Sequence, residues 1–465
     1  MNNMLLSPWL AAHEVDKLLR TAQRDDGRIR EILQKSRELK GLNQAEVAAL
    51  CQITAPEQIE ELFATARTVK EQIYGRRMVL FAPLYISNVC GNECTYCAFR
   101  SSNKHLQRTA LDMAAIKRDT AELVRQGHKR LLMVAGEGYS AAQGGFRYIL
   151  DAIAAVYEVT EASGHIRRLN VNLAPLETEE FRLLKEAGIG TYQLFQETYH
   201  RPTYAAVHLS GRKRDFDWRL TAFDRAMQAG VDDVGMGVLF GLHDWRFEIL
   251  SLMQHIAHLE AEFGCGCHTI SVPRIEPADH SDLSLTPPAP VSDEDFKKLI
   301  AILRLAVPYT GLILSTRESA AMRRECCALG ISQISAGSRT NPGGYSEGEE
   351  TPGQFQLGDH RALDEVIAEL SSMGFIPSFC TACYRLGRTG ADFMDLAKPG
   401  LIKQKCDPNA VTTFQEYLLD YASEEACCAG EKAIEQALAE MPPKARRNAE
   451  KMLTHIREGK RDVFC

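Results

Sequence analysis

Three cysteines, Cys90, Cys94 and Cys97, stand in CxxxCxxC spacing directly after an apolar run at residues 79–86. One short loop with thiols at those intervals can wrap three corners of a four-iron cubane and leave the fourth iron without a protein ligand. An open iron can bind and reduce a small molecule, whereas a fully ligated cluster mainly passes electrons, so the spacing points to catalysis. The competing reading is a zinc knuckle or an oxidised loop. Structural zinc usually takes four protein ligands in CxxC pairs, and no fourth Cys or His follows closely here. A second set, Cys380 and Cys383 in CxxC spacing with Cys406 after a further twenty-two residues, is more ambiguous. Three thiols again suit an open-iron cluster, but CxxC with a distant cysteine also occurs in zinc ribbons, for which Cys427 or Cys428 could complete the set.

Other chemistry-bearing residues follow later apolar runs. Glu137 lies in Ala135-Gly-Glu-Gly138, where Gly136 leaves backbone exposed, and Asn172, Gln196 and Glu197 end the next two runs. An acidic residue at the end of an enclosed strand needs a partner, which favours a functional reading of Glu197. Residues 238–241, Leu239 among them, offer backbone and apolar surface to a ligand, although ordinary packing suffices for Val238. Arg274, Arg317 and Arg339 end the last three runs. A guanidinium grips a carboxylate through two parallel hydrogen bonds. Arg317 and Arg339 could therefore position an amino-acid substrate, with Ser315 and Ser338 as further donors, or could pair with local acids such as Glu318.

The elements that must hold these residues have a clear order. Residues 1–77 read as helices: Asn43-Gln-Ala-Glu46 and Thr54-Ala-Pro-Glu57 have capping-box form, and Ile59, Leu62, Phe63, Ala66, Val69 and Ile73 keep a helical period up to Gly75. Apolar runs then recur at 79–86, 131–135, 169–173, 192–195, 234–240, 269–272, 312–314 and 331–334, with helical periodicity between most of them, as at 113–124 and 247–259. Eight such units predict an α/β fold, a (β/α)8 TIM-type barrel over residues 78–340, whose polar strand ends meet at one rim. Residues 341–465 break the alternation, with turns at 341–345 and 351–353 and a helix over 363–373, and read as a mostly helical extension that carries the second cysteine set and caps the barrel.

The 465 residues carry 61 acidic against 54 basic side chains, a net charge of −7 that offers no general field for nucleic acid. Fourteen cysteines, several of them in metal-like spacings, suit a reducing compartment, and a cytoplasmic location is expected. The apolar stretch from Met4 is short, has no basic segment before it and is interrupted by Pro8, so neither a signal peptide nor a membrane span is expected.

The CxxxCxxC loop with Tyr96 before its third cysteine resembles the signature of radical S-adenosylmethionine (SAM) enzymes. With the barrel, the stretches 268–274 and 314–318 and the terminal cysteine set, nearly the whole chain resembles the HydG family of di-iron hydrogenase maturases. The barrel alone also resembles ThiH, the tyrosine lyase of thiazole synthesis, which lacks the cysteine-bearing extension. The resemblance implies two 4Fe-4S clusters, one with an additional iron, and SAM as cofactors. Cys90, Cys94 and Cys97 would ligate the first cluster and Cys380, Cys383 and Cys406 the second, with His268 on the extra iron. Tyr96, Gly136, Glu137, Asn172, Gln196, Glu197 and Leu239 would surround SAM, with Glu137 receiving its ammonium; the family's Gly-Gly-Glu motif has Ala135 in its first place here. Arg274, Ser315, Arg317 and Arg339 would serve the substrate. It further implies cleavage of the Cα–Cβ bond of L-tyrosine to p-cresol and dehydroglycine, and conversion of the latter to carbon monoxide and cyanide. The implied partners are a reductant such as ferredoxin or flavodoxin and the other hydrogenase maturases. The alternatives are a ThiH-like lyase with a structural metal in its extension, or an iron–sulfur scaffold, which has no need of Glu137, Arg274 and Arg317 at the rim.

Overall fold

The computed structural model describes residues 7–22, 24–138, 144–162, 164–346 and 352–465. The start of the apolar stretch at Met4 and the first residue of the 351–353 turn lie outside them. Four helices, Ala12–Thr21, Asp26–Ser36, Gln44–Leu50 and Pro56–Tyr74, precede the barrel. Asn43 and Glu46 form the expected capping box. Thr54 does not cap the fourth helix. Its N-cap is Ala55, which makes no side-chain bond, and Pro56 in the first turn supplies the start through its fixed φ. That helix ends at Gly75, whose φ of 60° an L side chain rarely adopts. Its apolar face, with Leu62, Ala66, Val69 and Ile73 wholly buried, packs on the helix Asp293–Ala306.

Eight parallel strands follow: β1 (Arg77–Ser87), β2 (Arg130–Ala135), β3 (Arg168–Asn172), β4 (Tyr192–Glu197), β5 (Val234–Val238), β6 (Thr269–Ser271), β7 (Gly311–Leu314) and β8 (Gln333–Ser335). Each pairs with the next, and β8 returns to β1 with Val79 opposite Gln333 and Phe81 opposite Ser335, which closes the barrel. Helices such as Met113–Arg125 and Trp245–Phe263 lie between the strands. Strand side chains on the face towards the surrounding helices, including Leu80, Leu84, Met133, Val171, Ile270 and Leu312, are buried, while Phe81, Pro83, Leu132, Val134 and Ile313 line the barrel's interior cavity. The expected TIM-type barrel is therefore present, its strands starting and ending within a few residues of the apolar runs.

A ninth strand, β9 (Ile376–Ser378), comes from the C-terminal extension and pairs with the first residues of β1, Arg77 opposite Ile376 and Val79 opposite Ser378. β2 pairs with β1 only from Ala82 onward, so the long β1 accommodates both. The extension continues through helices Gly390–Ala397, Lys403–Asp420, Glu424–Glu440 and Pro443–Arg457, after Leu363–Ser372, and closes the end of the barrel where strands begin. Among the described residues, no helix is long and apolar enough to cross a membrane.

Candidate functional site

The cysteine loop leaves the C-terminal end of β1 and is held from several sides. Gly91 N–H donates to the Glu137 carbonyl at 3.0 Å, and Gly136 N–H to the Ser87 carbonyl at 2.9 Å. A Cβ on Gly136 or Gly138 would stand 2.4 or 2.6 Å from the Val89 carbonyl oxygen, so the Gly-Glu-Gly sequence is what lets the β2 exit pass so close to the cysteine loop. Arg108 donates to the carbonyls of Asn88, Phe99, Arg100 and Asn103 and fixes the far side. Tyr96 OH donates to His208 Nε2 at 2.9 Å, while His208 Nδ1 bonds the Tyr204 carbonyl at 2.9 Å. Burial pushes the His208 pKa down to about 2, so the neutral ring can accept that bond.

Cys90, Cys94 and Cys97 line one cavity at this rim together with Tyr96, Gly136, Glu137, Asn172, Glu197, Leu239, Ser315 and Arg317. All fourteen cysteines are free of disulfides. Burial raises the pKa of each of the three loop thiols. They keep their protons until a metal displaces them, which is the ordinary chemistry of cluster ligation. Gln196 is buried behind the cavity wall, with its Nε2 unpartnered.

Two carboxylates face the cysteines. Glu137 accepts from Asn92 Nδ2 and from Arg219 Nη1, the latter at 2.9 Å. Burial opposes its charge, but Arg219 and Lys213 outweigh burial and hold its pKa below the usual value. Glu197 meets Lys213 Nζ at 2.7 Å and Arg219 Nη2 at 3.5 Å. It sits where the β4 register slips, at φ 70°, a conformation costing roughly 1–3 kcal/mol in a non-glycine residue. Lys213 and Arg219 lie beyond β4, on a short 3-10 turn (Arg212–Arg214) and the helix Phe216–Leu220. No strand-end pattern marked them, and the only signal was that buried Glu197 required a cation.

Arg317 follows β7 into the same cavity, its guanidinium 3.3 Å from the centroid of the Phe355 ring, and among the described residues it makes no ion pair. Glu318 turns away from it to a forked pair with Arg274, which also binds Asp293 Oδ1 at 2.8 Å. Arg274 is thus engaged outside this cavity. Arg339 donates to the Ser338 carbonyl and lines a neighbouring outer cavity that shares Thr340 and Phe355 with the main one. Sequence reading missed three further contributors. Glu276 lines the main cavity, and burial first, then Glu318, push its pKa up to about 7. Gln354 and Phe355 arrive from the segment after β8, with Gln354 bonded to Tyr85 OH at 2.8 Å and to Cys97 Sγ at 3.7 Å.

The second cysteine set lines a separate cavity at the opposite end of the barrel. Cys380 and Cys383 follow β9, Cys406 lies in the first turn of the helix Lys403–Asp420, and His268 directly precedes β6. Arg77 and Arg130 line the same space. His268 packs against Phe393 with ring centroids 4.4 Å apart, and its Nδ1 lies 4.0 Å from Asp233. Burial, ahead of the opposing pull of Asp233, lowers its pKa, and a neutral imidazole is the ligating form. Cys427 and Cys428, candidates for a fourth zinc ligand, lie on the helix Glu424–Glu440 and do not line this cavity. Among the described residues, no three His, Cys, Asp or Glu side chains are grouped to hold a single ion. Each thiol set lines a cavity rather than converging on a point. In kind and number the donors fit two iron–sulfur clusters, one at each end.

The radical SAM superfamily model matches residues 84–253, and the biotin and thiamin synthesis associated domain matches residues 271–376. The 2-iminoacetate synthase of Escherichia coli (strain K12) is 35% identical over 338 residues, 72% of this chain and 86% of that protein. A crystal structure of HydG, a maturase of the [FeFe]-hydrogenase, is 47% identical with a TM-score of 0.95, covering 98% of this chain and 100% of its own. HydG from Carboxydothermus hydrogenoformans is 41% identical with a TM-score of 0.81, over 95% and 97% of the two chains. With likeness at that level running through barrel and extension alike, the chain belongs to the HydG family of the radical SAM superfamily.

Proposed function

We propose that this protein is a radical SAM lyase that cleaves the Cα–Cβ bond of L-tyrosine to p-cresol and dehydroglycine. At a second cluster carrying an additional iron, the dehydroglycine becomes carbon monoxide and cyanide for the di-iron hydrogenase active site. The observation that carries this reading is the pair of thiol-lined cavities at opposite ends of one barrel. The 2-iminoacetate synthase likeness spans 72% of the chain, whereas the HydG likeness spans 98% and includes the extension that bears Cys380, Cys383 and Cys406.

When bound, SAM on the first cluster would supply a carbon-centred radical that abstracts hydrogen from the substrate. The chain's own residues set the stage. Cys90, Cys94 and Cys97 hold the cluster, and Glu137, kept ionised by Arg219, offers an acceptor for the SAM ammonium. Glu197, pinned by Lys213 and Arg219, offers acceptors for ribose hydroxyls. Arg317, without an ion pair among the described residues and 3.3 Å from the centroid of the Phe355 ring, grips the tyrosine carboxylate. Gln354 and Phe355 line the cavity beside Cys97 and Arg317 and add to its wall. At the far end Cys380, Cys383 and Cys406 hold the second cluster, and His268 supplies a nitrogen to the extra iron.

In this reading, residues 1–77 brace the barrel, 78–340 perform the radical step and 341–465 form the assembly domain. A ferredoxin- or flavodoxin-like protein would supply the electron in a reducing cytoplasm, and other hydrogenase maturases would take the product. The test is to incubate anaerobically reconstituted protein with SAM, reductant and tyrosine. The expected products are 5′-deoxyadenosine, p-cresol, carbon monoxide and cyanide. p-Cresol without the two diatomic products would favour a ThiH-like lyase, and absence of all four a scaffold.

A further inference from the structure

Three neighbouring strands begin with arginine at the end of the barrel that the second cavity occupies: Arg77 in β1, Arg130 in β2 and Arg168 in β3. Arg168, bonded to Asn170 Oδ1 at 2.7 Å and Thr191 Oγ1 at 2.6 Å and with only its buried Nη1 lacking a hydrogen-bond partner, is paired with Asp233 at 3.5 Å. The other two are not. Arg130 is 7% exposed, donates one bond to the Cys380 carbonyl at 2.9 Å, and has a buried Nε with no partner. Arg77 likewise has a buried, unpartnered Nε. Among the described residues neither makes an ion pair within 4.0 Å. Asp233 is engaged by Arg168 and faces His268, and Arg77 also borders an adjoining cavity lined by Glu71, Lys403, Asp407 and Glu440, at more than ion-pair distance from those acids. A guanidinium buried without a counter-charge is costly, so its retention calls for an anion.

The thiols account for only part of that demand. Three thiolates around a dicationic four-iron core leave a single net negative charge. Arg77, Arg130 and, at the rim, Lys405 line the cavity as three cations, and no Asp or Glu lines it among the described residues. The excess is positive, buried and fork-shaped, and a small carboxylate matches it in charge and geometry.

We infer that Arg130, with Arg77, forms an anion site beside the second thiol set that takes a small carboxylate. Resting on the function proposed above, that carboxylate is the one on the two-carbon fragment released from tyrosine. The site holds the fragment at the second cluster and out of water. A fragment that is not held there hydrolyses, its imine taking up water to give glyoxylate and ammonia.

The experiment uses the full-length reconstituted protein and measures glyoxylate and cyanide per p-cresol released. In Arg130→Gln, cyanide per p-cresol should fall by about tenfold, as expected for loss of a charge-assisted bidentate contact, and glyoxylate per p-cresol should rise to match. Arg130→Lys, which keeps charge but not the fork, should lie between. Ratios equal to the parent's would overturn the site. A second arm does not depend on turnover: with Cys90, Cys94 and Cys97 all changed to alanine, the protein retains only the second cluster, and sodium oxalate is titrated against its paramagnetic resonance spectrum after reduction. A saturable spectral shift, absent with sodium chloride at equal ionic strength and about tenfold weaker in the Arg130→Lys background, supports the site. No shift, or equal affinity in the two backgrounds, sinks it. If the parent makes no p-cresol, the proposed function fails while this second arm still judges the anion site.

Discussion

Arg219 serves two carboxylates at once, Glu137 through Nη1 and Glu197 through Nη2, and is itself 4% exposed. Arg219→Met would leave both acids with less counter-charge in a buried setting, and removing one member of such a group costs about 3–5 kcal/mol. The pH dependence has a definite sign. In the parent the folded pKa of Glu137 is depressed below its ordinary 4.5, so the stability it lends is complete above that value and is lost as pH falls through the lower folded value. In the variant the remaining burial penalises the charged form, and protonation relieves it. The variant's deficit in urea denaturation should therefore be largest near neutrality and shrink in acid; a deficit that grows on acidification would contradict the arrangement. Arg317 is the companion case on the substrate side. Arg317→Lys keeps charge but loses both the planar fork and the guanidinium's contact over the Phe355 ring. The KM for tyrosine should rise by about tenfold with iron content unchanged, and an unaltered tyrosine dependence of p-cresol release would remove Arg317 from the substrate site.

At the scale of elements, the rim is built by strand exits that pass one another closely. Gly136→Ala would place a methyl 2.4 Å from the Val89 carbonyl oxygen, and because the obstacle is backbone it is the cysteine loop that must shift. Bound iron should then fall by about half, with the second cluster's spectrum intact, since only one of two four-iron sites is disturbed. Parental iron content would show that the loop absorbs the methyl. The barrel strands were legible because each is an apolar run bounded by glycine or a polar cluster, and most of the rim residues because they stand directly after such runs. β9 was not legible: three residues with Pro377 at their centre are too short to show alternation, and they form a strand only because the long β1 presents an unpaired edge. Lys213, Arg219 and Glu276 escaped notice for a related reason, since they reach the cavity from connecting segments whose course depends on the whole fold. Thr54 shows the limit of local motifs, as a capping-box sequence gave way to a start set by Pro56 one residue later.

At the scale of the molecule, the two cysteine sets occupy opposite ends of one barrel and share no lining residue. The first is built from strand ends and the crossings that follow them, the second from strand beginnings and the C-terminal extension, so the two can be uncoupled. Changing Cys380 and Cys383 together to alanine leaves Cys90, Cys94 and Cys97 and all of their supports untouched. Tyrosine cleavage and p-cresol release should survive, slowed to the extent that the packing of the extension against β1 is loosened. Assembly should not, because a single remaining thiolate cannot retain a four-iron cluster and the extra iron loses its anchor. Infrared absorption by metal-bound carbonyl and cyanide reads the outcome directly: the bands should vanish in the double variant while p-cresol persists. His268→Ala is the milder form of the same cut, expected to keep both four-iron clusters and lower only the occupancy of the extra iron. Bands of parental intensity in the double variant would make the C-terminal thiols a structural metal site and leave the first cavity to act alone, as a tyrosine lyase without an assembly centre.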